Sequence, residues 1–470
     1  MLPTPKSFDI FPSVVLADAV TKMTIMPAER AFIIPDGRVY SLKVISVGSD
    51  ENYYSPQGYK ILELSGKDGM LSFDFEFIGE GEHRLELLLD EKAVAVFTVY
   101  SLHEDLYRLR PLKGDLHSHS CRSDGTRDPA SQAGHYREEG YDFVALTDHN
   151  RYYPGGEIDE AYEGVNTGLL RIRGEEVHSP QSVVHIVHVG GSKSIAEEYV
   201  KNREEYEKEI EKYLEKVPEE IPEAYKSRYA KAMWATDAIH AAGGLAIFPH
   251  PFWRPNASKC YNLPKEFAEI LLKSGMFDAF EIVGTMTQAD INRALALWTD
   301  LRGEGYKINL VGSSDVHSLE RSPHFPYHLT VCFAEEKSEA GVIDAVRCGN
   351  SVAVEIIGDN YDRQYFCYGS FRLVSYAQFL LQNYFPRLQR LTAGIGVSMR
   401  AYAMEEASAE VIEAQNAIAE AFSERFFGRL APKAPSEKLI SFEEKWRAVQ
   451  LDGPRARGSS VDAAPAKRLI

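Results

Sequence analysis

The chain has 470 residues, 44% hydrophobic and 26% charged, which is ordinary globular usage and excludes a mostly disordered, fibrous or low-complexity protein. At about 100 to 200 residues per domain it should hold two to four domains, with a core large enough to need no disulfides. A net charge of −17 works against a broad grip on a polyphosphate backbone and disfavours long nucleic acid as a partner. The five cysteines, Cys121, Cys260, Cys332, Cys348 and Cys367, form no CxxC pair and suit reduced thiols. Nothing approaches the run of about 18 apolar residues that a membrane helix needs. Pro3, Pro5 and Asp9 break the N-terminal stretch where a signal peptide would be apolar. A soluble, cytoplasmic protein is expected.

Residues 1–107 read as a small all-β, sandwich-like domain. Arg38 to Val47, Met70 to Ile78 and His83 to Leu89 alternate apolar with polar, turn residues separate them, and a hairpin should fold back around Asp90 to Lys92. From 108 to 357 short apolar strands alternate with helical segments such as Asp128 to Glu139 and Ala230 to Ala242, the pattern of an α/β barrel or wound sheet with its chemistry at the strand ends. A charged stretch, 192–227, reads as a solvated helix inserted into that unit. Beyond Asp359 no further strand is expected. Phe371 to Phe385, Met404 to Phe427 and Ser441 to Val449 read as helices within a C-terminal helical region, 358–450, that packs on the barrel or forms a dimer, and 451–470 should be a disordered tail.

Twelve of the fourteen histidines fall between positions 117 and 328. His117 and His119 stand two apart at a strand end, so both rings point to one side, and neutral imidazoles at that spacing can share an ion. Five further strands carry His, Asp or Glu toward the same edge: Asp148 and His149, Glu175 and Glu176, His185 and His188, His250, and Asp315 with His317, while Asp124 follows the first strand in an SDG turn. Burying so many titratable groups at one pole without partners is costly, and metal ions supply the partners.

The ordered motifs HSH, SDG, TDH, GEE, HIVHVGG, FPHP and SDVH resemble the PHP (polymerase and histidinol phosphatase) superfamily of metallohydrolases over residues 108–357. The resemblance implies an α/β fold, a distorted (β/α)7 barrel between the N-terminal β-sandwich and the C-terminal helical extension. It also implies that His117, His119, Glu176 and Asp315 hold one divalent ion, that Glu176 bridges to a second held by His185 and His250, and that Asp124, His149 and His317 hold a third. Asp124 stands where some members have histidine. Glu176 is chosen over Glu175, and His185 over His188, by motif position. Asp148 is expected to orient a neighbour, His178, His135 and His324 to be surface residues, and Cys121 to be a buried or partly buried thiol. The GEEVHSP and HIVHVGG segments look most like the carbaryl-hydrolase-like branch.

The mixed nitrogen and oxygen ligand set suits two or three ions of Mn, Zn or Fe. Such a centre would activate a hydroxide against a small-molecule phosphoester, a phosphorylated metabolite or nucleotide, with Asp315 or His317 moving the proton and Arg122, Arg151 and Arg254 holding the phosphate. Hydrolysis of a carboxylic or carbamate ester is the alternative, followed by a metal-stabilised interaction module. A homo-oligomer is compatible with either.

Overall fold

The computed structural model describes residues 7–48, 59–255, 259–358 and 362–452. The expected tail lies outside them apart from 451 and 452.

The N-terminal strands are β1 (Phe8–Phe11), β2 (Val14–Leu16), β3 (Val20–Pro27), β4 (Val39–Ser46), β5 (Lys60–Ser65), β6 (Leu71–Glu76), β7 (Gly81–Leu89) and β8 (Lys92–Leu102). They form a three-stranded sheet, β1-β3-β6, and a five-stranded sheet, β2-β8-β7-β4-β5. One apolar cluster joins them, with Met23, Ile25 and Leu71 from the first and Leu42, Leu85 and Val99 from the second. The hairpin turns at Asp90 and Glu91, with Leu89 opposite Lys92, and both turn residues have positive φ (49° and 65°), as a two-residue turn of the primed type requires.

After α1 (Glu104–Tyr107) the chain builds one ten-stranded mixed sheet from β9 (Arg110–Asp115), β10 (Phe143–Leu146), β11 (Leu170–His178), β12 (His185–Val189), β13 (Leu245–Phe248), β14 (Ala279–Val283), β15 (Leu310–Gly312), β16 (His328–Ala334), β17 (Ser351–Ile357) and β18 (Gln364–Tyr368). The order is β15-β14-β13-β12-β11-β10-β9-β16-β17-β18. The sheet curls until β15 meets β16 and β17. Side chains close that seam: Thr330 Oγ1 donates to the Gly312 carbonyl at 2.6 Å and accepts its N–H at 3.0 Å, and Ser351 Oγ donates to Leu310 at 2.7 Å. A Cβ on Gly312 would stand 2.5 Å from the Leu329 carbonyl oxygen, so this approach requires glycine.

The alternation of strand and helix is less regular than the sequence suggested. β12 runs antiparallel to both β11 and β13, and β16 antiparallel to β9. β18 pairs antiparallel with β17, so strands do continue beyond Asp359; the partly buried alternation of QYFCY fits an edge strand.

The helices between strands are α2 (Pro129–Glu138), α3 (Pro154–Ala161), α4 (Ala196–Lys201), α5 (Arg203–Leu214), α6 (Glu223–Ala241), α7 (Lys265–Lys273), α8 (Gln288–Gly303) and α9 (Glu339–Arg347). The charged stretch is thus two short helices and the start of a third, and it is not wholly solvated: Tyr206 and Ile210 of α5 are buried, with Tyr206 edge-on to Trp234 at 4.8 Å. At the C-terminus α10 (Phe371–Asn383), α11 (Phe385–Ala403), α12 (Ala409–Phe426) and α13 (Glu437–Asp452) follow. The helix α11 fills a gap left between two expected helices. Residues Tyr376, Phe379, Met399 and Phe426 share one buried cluster with Tyr136 of α2, Phe333 of β16 and Tyr100 of β8, so these helices cement barrel to N-terminal sheets. Among the described residues no helix is long and apolar enough to cross a membrane.

Candidate metal centre

The carboxyl ends of β9, β10, β11 and β13 open on one pole of the curled sheet. Because β12 is reversed, its first residue, His185, reaches the same pole opposite His178 at the end of β11. The ladder extends past the strands through isolated bridges joining Ser118 to Val316 and His149 to Glu176. The loops carrying the candidate ligands are therefore pinned by backbone pairing.

Among the described residues five overlapping sets of ligand atoms gather there. Three match the expected sites: His117, His119, Glu176 and Asp315; Glu176, His185 and His250; and His119, Asp124, His149 and His317. The other two are His117, His250 and Glu281, and His149, Glu176 and His178. In the first set the two Nε2 atoms lie 3.1 Å apart, and they stand 2.9–3.5 Å from Glu176 Oε2 and Asp315 Oδ1. Four ligands bound at roughly 2.0–2.1 Å to a tetrahedral ion would be separated by roughly 3.3–3.4 Å, so the donors fit one ion. Glu176 turns its other oxygen, Oε1, toward His185 Nδ1 at 2.8 Å and His250 Nε2 at 3.4 Å. Asp124 lies 3.3 Å from His149 Nε2 and 3.4 Å from His317 Nε2. Glu176 Oε1, Asp315 Oδ1, His149 Nδ1 and His185 Nδ1 are buried with no hydrogen-bond partner among the described residues. Groups crowded to these distances fit around shared central cations, and the donor set suits a divalent one.

Strand alternation separates the adjacent pairs. Glu175 faces away from the cluster, accepting from Ser194 Oγ at 2.8 Å and the Ile195 N–H at 2.5 Å, and sits 3.4 Å from His188 Nδ1. Asp148 holds the 120–123 turn, accepting from the Ser120 N–H at 2.8 Å and from the Ser120 and Ser123 hydroxyls at 2.7 and 2.5 Å. His250 and Asp315 are held at positive φ (24° and 48°). Non-glycine residues enter that region at a cost of about 1–3 kcal/mol, characteristically at functional sites.

The electrostatics are those of a cluster in which protons stand where cations fit. Burial opposes protonation of His117, but the carboxylates of Asp315, Glu281 and Glu176 outweigh it and hold its pKa well above the usual value. His149 is likewise raised to about 10 by Asp124 and Glu176 against its burial. Burial works to raise Glu176, yet His185, His117 and His149 keep it well below the usual carboxylate range. His185 and His119 are the exceptions, both lowered by burial, and His185, at about 4, is held as the neutral ligand form.

Three residues join the site without having been singled out as functional. Glu281, fully buried on β14, lies 3.0 Å from His117 Nδ1 and leaves Nε2 to face the cluster. Its signal was a lone carboxylate inside the apolar strand AFEIV. Asp115 ties β9 to the Ser313–Asp315 turn, accepting from Ser314 N at 3.1 Å, Ser314 Oγ at 2.5 Å and Tyr136 Oη at 2.7 Å, and burial raises its pKa to about 6. His178, expected at the surface, stacks on His185 with ring centroids 3.8 Å apart and places Nε2 3.2 Å from Glu176 Oε1. Period-2 alternation from Glu176 would have placed it on the same face.

The three arginines separate. Arg122 is forked onto Glu157 at 2.8 Å twice, and Arg151 donates to the Arg122 carbonyl. Only Arg254 lines the cleft of about 790 Å³ beside the cluster, with Trp253, Met286, Tyr327, His324 and Glu355. Trp253 connects the two, its ring 5.8 Å from His250 and 6.1 Å from His185. His324 is thus a cleft residue rather than an ordinary surface one, whereas His135 sits on α2 beside Glu138. Cys121 is exposed, contrary to expectation.

No family model matches the chain and no curated protein matches it. Among solved structures it is similar to a two-domain protein containing a predicted PHP-like metal-dependent phosphoesterase from Bacteroides vulgatus, at 18% identity and TM-score 0.36, over 56% of this chain and 76% of that one. A protein named as a metal-dependent phosphoesterase from Bifidobacterium adolescentis aligns at 18% identity and TM-score 0.34, over 50% of this chain and 96% of its own. An amidohydrolase from Chromobacterium violaceum aligns at 20% and 0.31, over 45% and 89%. None of the three is named as a carbaryl hydrolase. The likeness is partial, and the site stands on its own geometry.

Proposed function

We propose that the chain is a metal-dependent hydrolase acting on a small phosphoester, a phosphorylated metabolite or nucleotide. The supporting observation is Glu176, whose two oxygens face two separate histidine sets. That arrangement suits ions held side by side by His117, His119, Glu176 and Asp315 and by Glu176, His185 and His250, with Asp124, His149 and His317 offering a third position. Divalent ions there, Mn, Zn or Fe, would supply Lewis acidity toward an ester oxygen and make water acidic enough to react near neutral pH.

The remaining work falls to this chain. Glu281 and the Asp115 network orient the ligands, Trp253 joins the cluster to the cleft, and Arg254 offers a cation to a phosphate oxygen. Where the third position holds no ion, His317, the most open of the clustered histidines, is placed to carry a proton to the leaving group through Nε2, its Nδ1 lying 3.0 Å from the Asp315 carbonyl and its Nε2 facing Asp124. Asp315 is better placed as a ligand than as a free acid.

A second reading, hydrolysis of a carboxylic or carbamate ester, draws support from the same cleft. Its walls include Met286, Ile356 and Ile357, and its one arginine is already 3.2 Å from Asp290. Turnover by Mn-loaded and Zn-loaded protein of a phosphate monoester, a phosphate diester and an aryl carbamate, with His117→Ala as control, separates them. Phosphate release that disappears in the variant is expected; carbamate turnover alone would select the second reading.

A further inference from the structure

At the opposite end of β9, where Arg110 begins the strand, a cavity of about 320 Å³ lies between the barrel floor and the C-terminal helices. Four cationic side chains line it, Arg110, Arg137, Lys337 and Arg429, against three carboxylates, Asp142, Glu420 and Glu424. In a chain of net charge −17 this local excess of positive charge runs against the overall field.

The cations are unevenly satisfied. Lys337 is engaged, donating to the Gly168 carbonyl at 2.6 Å and to Asp142 at 3.2 Å. Arg137 spends its terminal nitrogens on the Tyr141 carbonyl at 3.1 Å and Asn416 Oδ1 at 3.0 Å, yet its Nε is buried with no partner, in a side chain only 3% exposed. Arg110 and Arg429 both approach the same oxygen of Glu424, at 3.6 and 3.7 Å. Those distances are too long for hydrogen bonds, and among the described residues neither guanidinium donates one. A buried guanidinium N–H without an acceptor is costly, and an anion would supply the acceptor. Burial also pulls Arg137 and Lys337 below their usual pKa ranges, although nearby carboxylates oppose it.

We propose that this cavity is a second ligand site, distinct from the metal centre, that takes the phosphoryl group of a small phosphorylated molecule. Three guanidiniums converge from separate elements: the start of β9, α2, and the residues after α12. A tetrahedral oxyanion offers acceptors in several directions at once, whereas a carboxylate presents two oxygens in one plane. The volume sits at the small end of ligand sites, about 300–1,000 Å³. The C-terminal helices thereby acquire a task beyond filling space, since α12 and the segment after it form the cavity wall.

The test uses the full chain stripped of metal by a chelator, titrated calorimetrically with inorganic phosphate and with pyrophosphate at constant ionic strength. Arg110 and Arg429 are partly exposed, so R110Q and R429Q should fold, which circular dichroism checks. His250→Ala serves as control for anions bound at the other pole. Saturable binding that weakens about tenfold or more in each arginine variant, and is unchanged in His250→Ala, is the expected result. Equal affinity in the arginine variants, loss of binding in His250→Ala, or no saturable binding of either anion would each overturn the proposal.

Discussion

Substituting Glu281 probes whether the cluster is a metal centre and does so without touching a ligand. Its carboxylate is fully buried and lies 3.0 Å from His117 Nδ1, where it keeps the proton on that nitrogen and Nε2 free. Removing such a partner typically costs 10-fold to 100-fold in metal affinity, or about 1.4–2.7 kcal/mol. Glu281→Gln, whose amide oxygen can still accept the N–H, should fall near the lower figure, and Glu281→Ala near the upper. The same carboxylate also favours a proton on His117, which competes with metal at low pH. The loss should therefore be larger at pH 8 than at pH 6.5. Competition of Zn against a chromogenic chelator at both pH values, with thermal unfolding to check the fold, measures it. If Glu281→Ala binds Zn as tightly as the parent while His117→Ala does not, the orienting role is wrong; if neither variant changes affinity, the cluster is not a metal centre.

Metal loading should release protons near pH 7, because ions displace protons now held by His117 and His149 above their usual pKa values; titration calorimetry in two buffers of different ionisation enthalpy counts them, and no uptake by the buffer would contradict the picture. Arg254→Ala should raise KM for a phosphoester about tenfold with kcat little changed, and leave a carbamate substrate unaffected, as steady-state kinetics will show. In the N-terminal sheets His83 is buried between Ser46 Oγ at 3.0 Å and Ser101 Oγ at 2.8 Å, and burial lowers its pKa from 6.5 to about 4. The folded state refuses a proton that the unfolded chain accepts, so stability is complete above pH 6.5 and falls by about 3 kcal/mol as pH drops toward 4. His83→Gln should flatten that slope in urea unfolding followed from pH 7 to 4; an unchanged slope would place the acid sensitivity elsewhere.

What sequence alone determined is local. Side-chain alternation along a strand put Glu175 and Glu176 on opposite faces, polar residues at the ends of apolar runs marked one pole, and Asp90 with Glu91 made the hairpin turn where the pattern changed. Local pattern also carried most helices, but it could not show α11, whose buried Phe385, Leu388, Ile395 and Met399 are spread through a mixed sequence, nor β18, whose strand character comes from pairing with β17. Only tertiary structure decided that β12 runs backward and so delivers His185 from the start of a strand. The fold also brings Glu281 beneath His117 across 164 residues of sequence, draws His178 into the cluster, and leaves Arg254 alone of the three arginines in the cleft. The physical reason is that residue type and period fix which face a side chain occupies, whereas strand direction and the partner across a buried gap depend on how distant segments exclude water together.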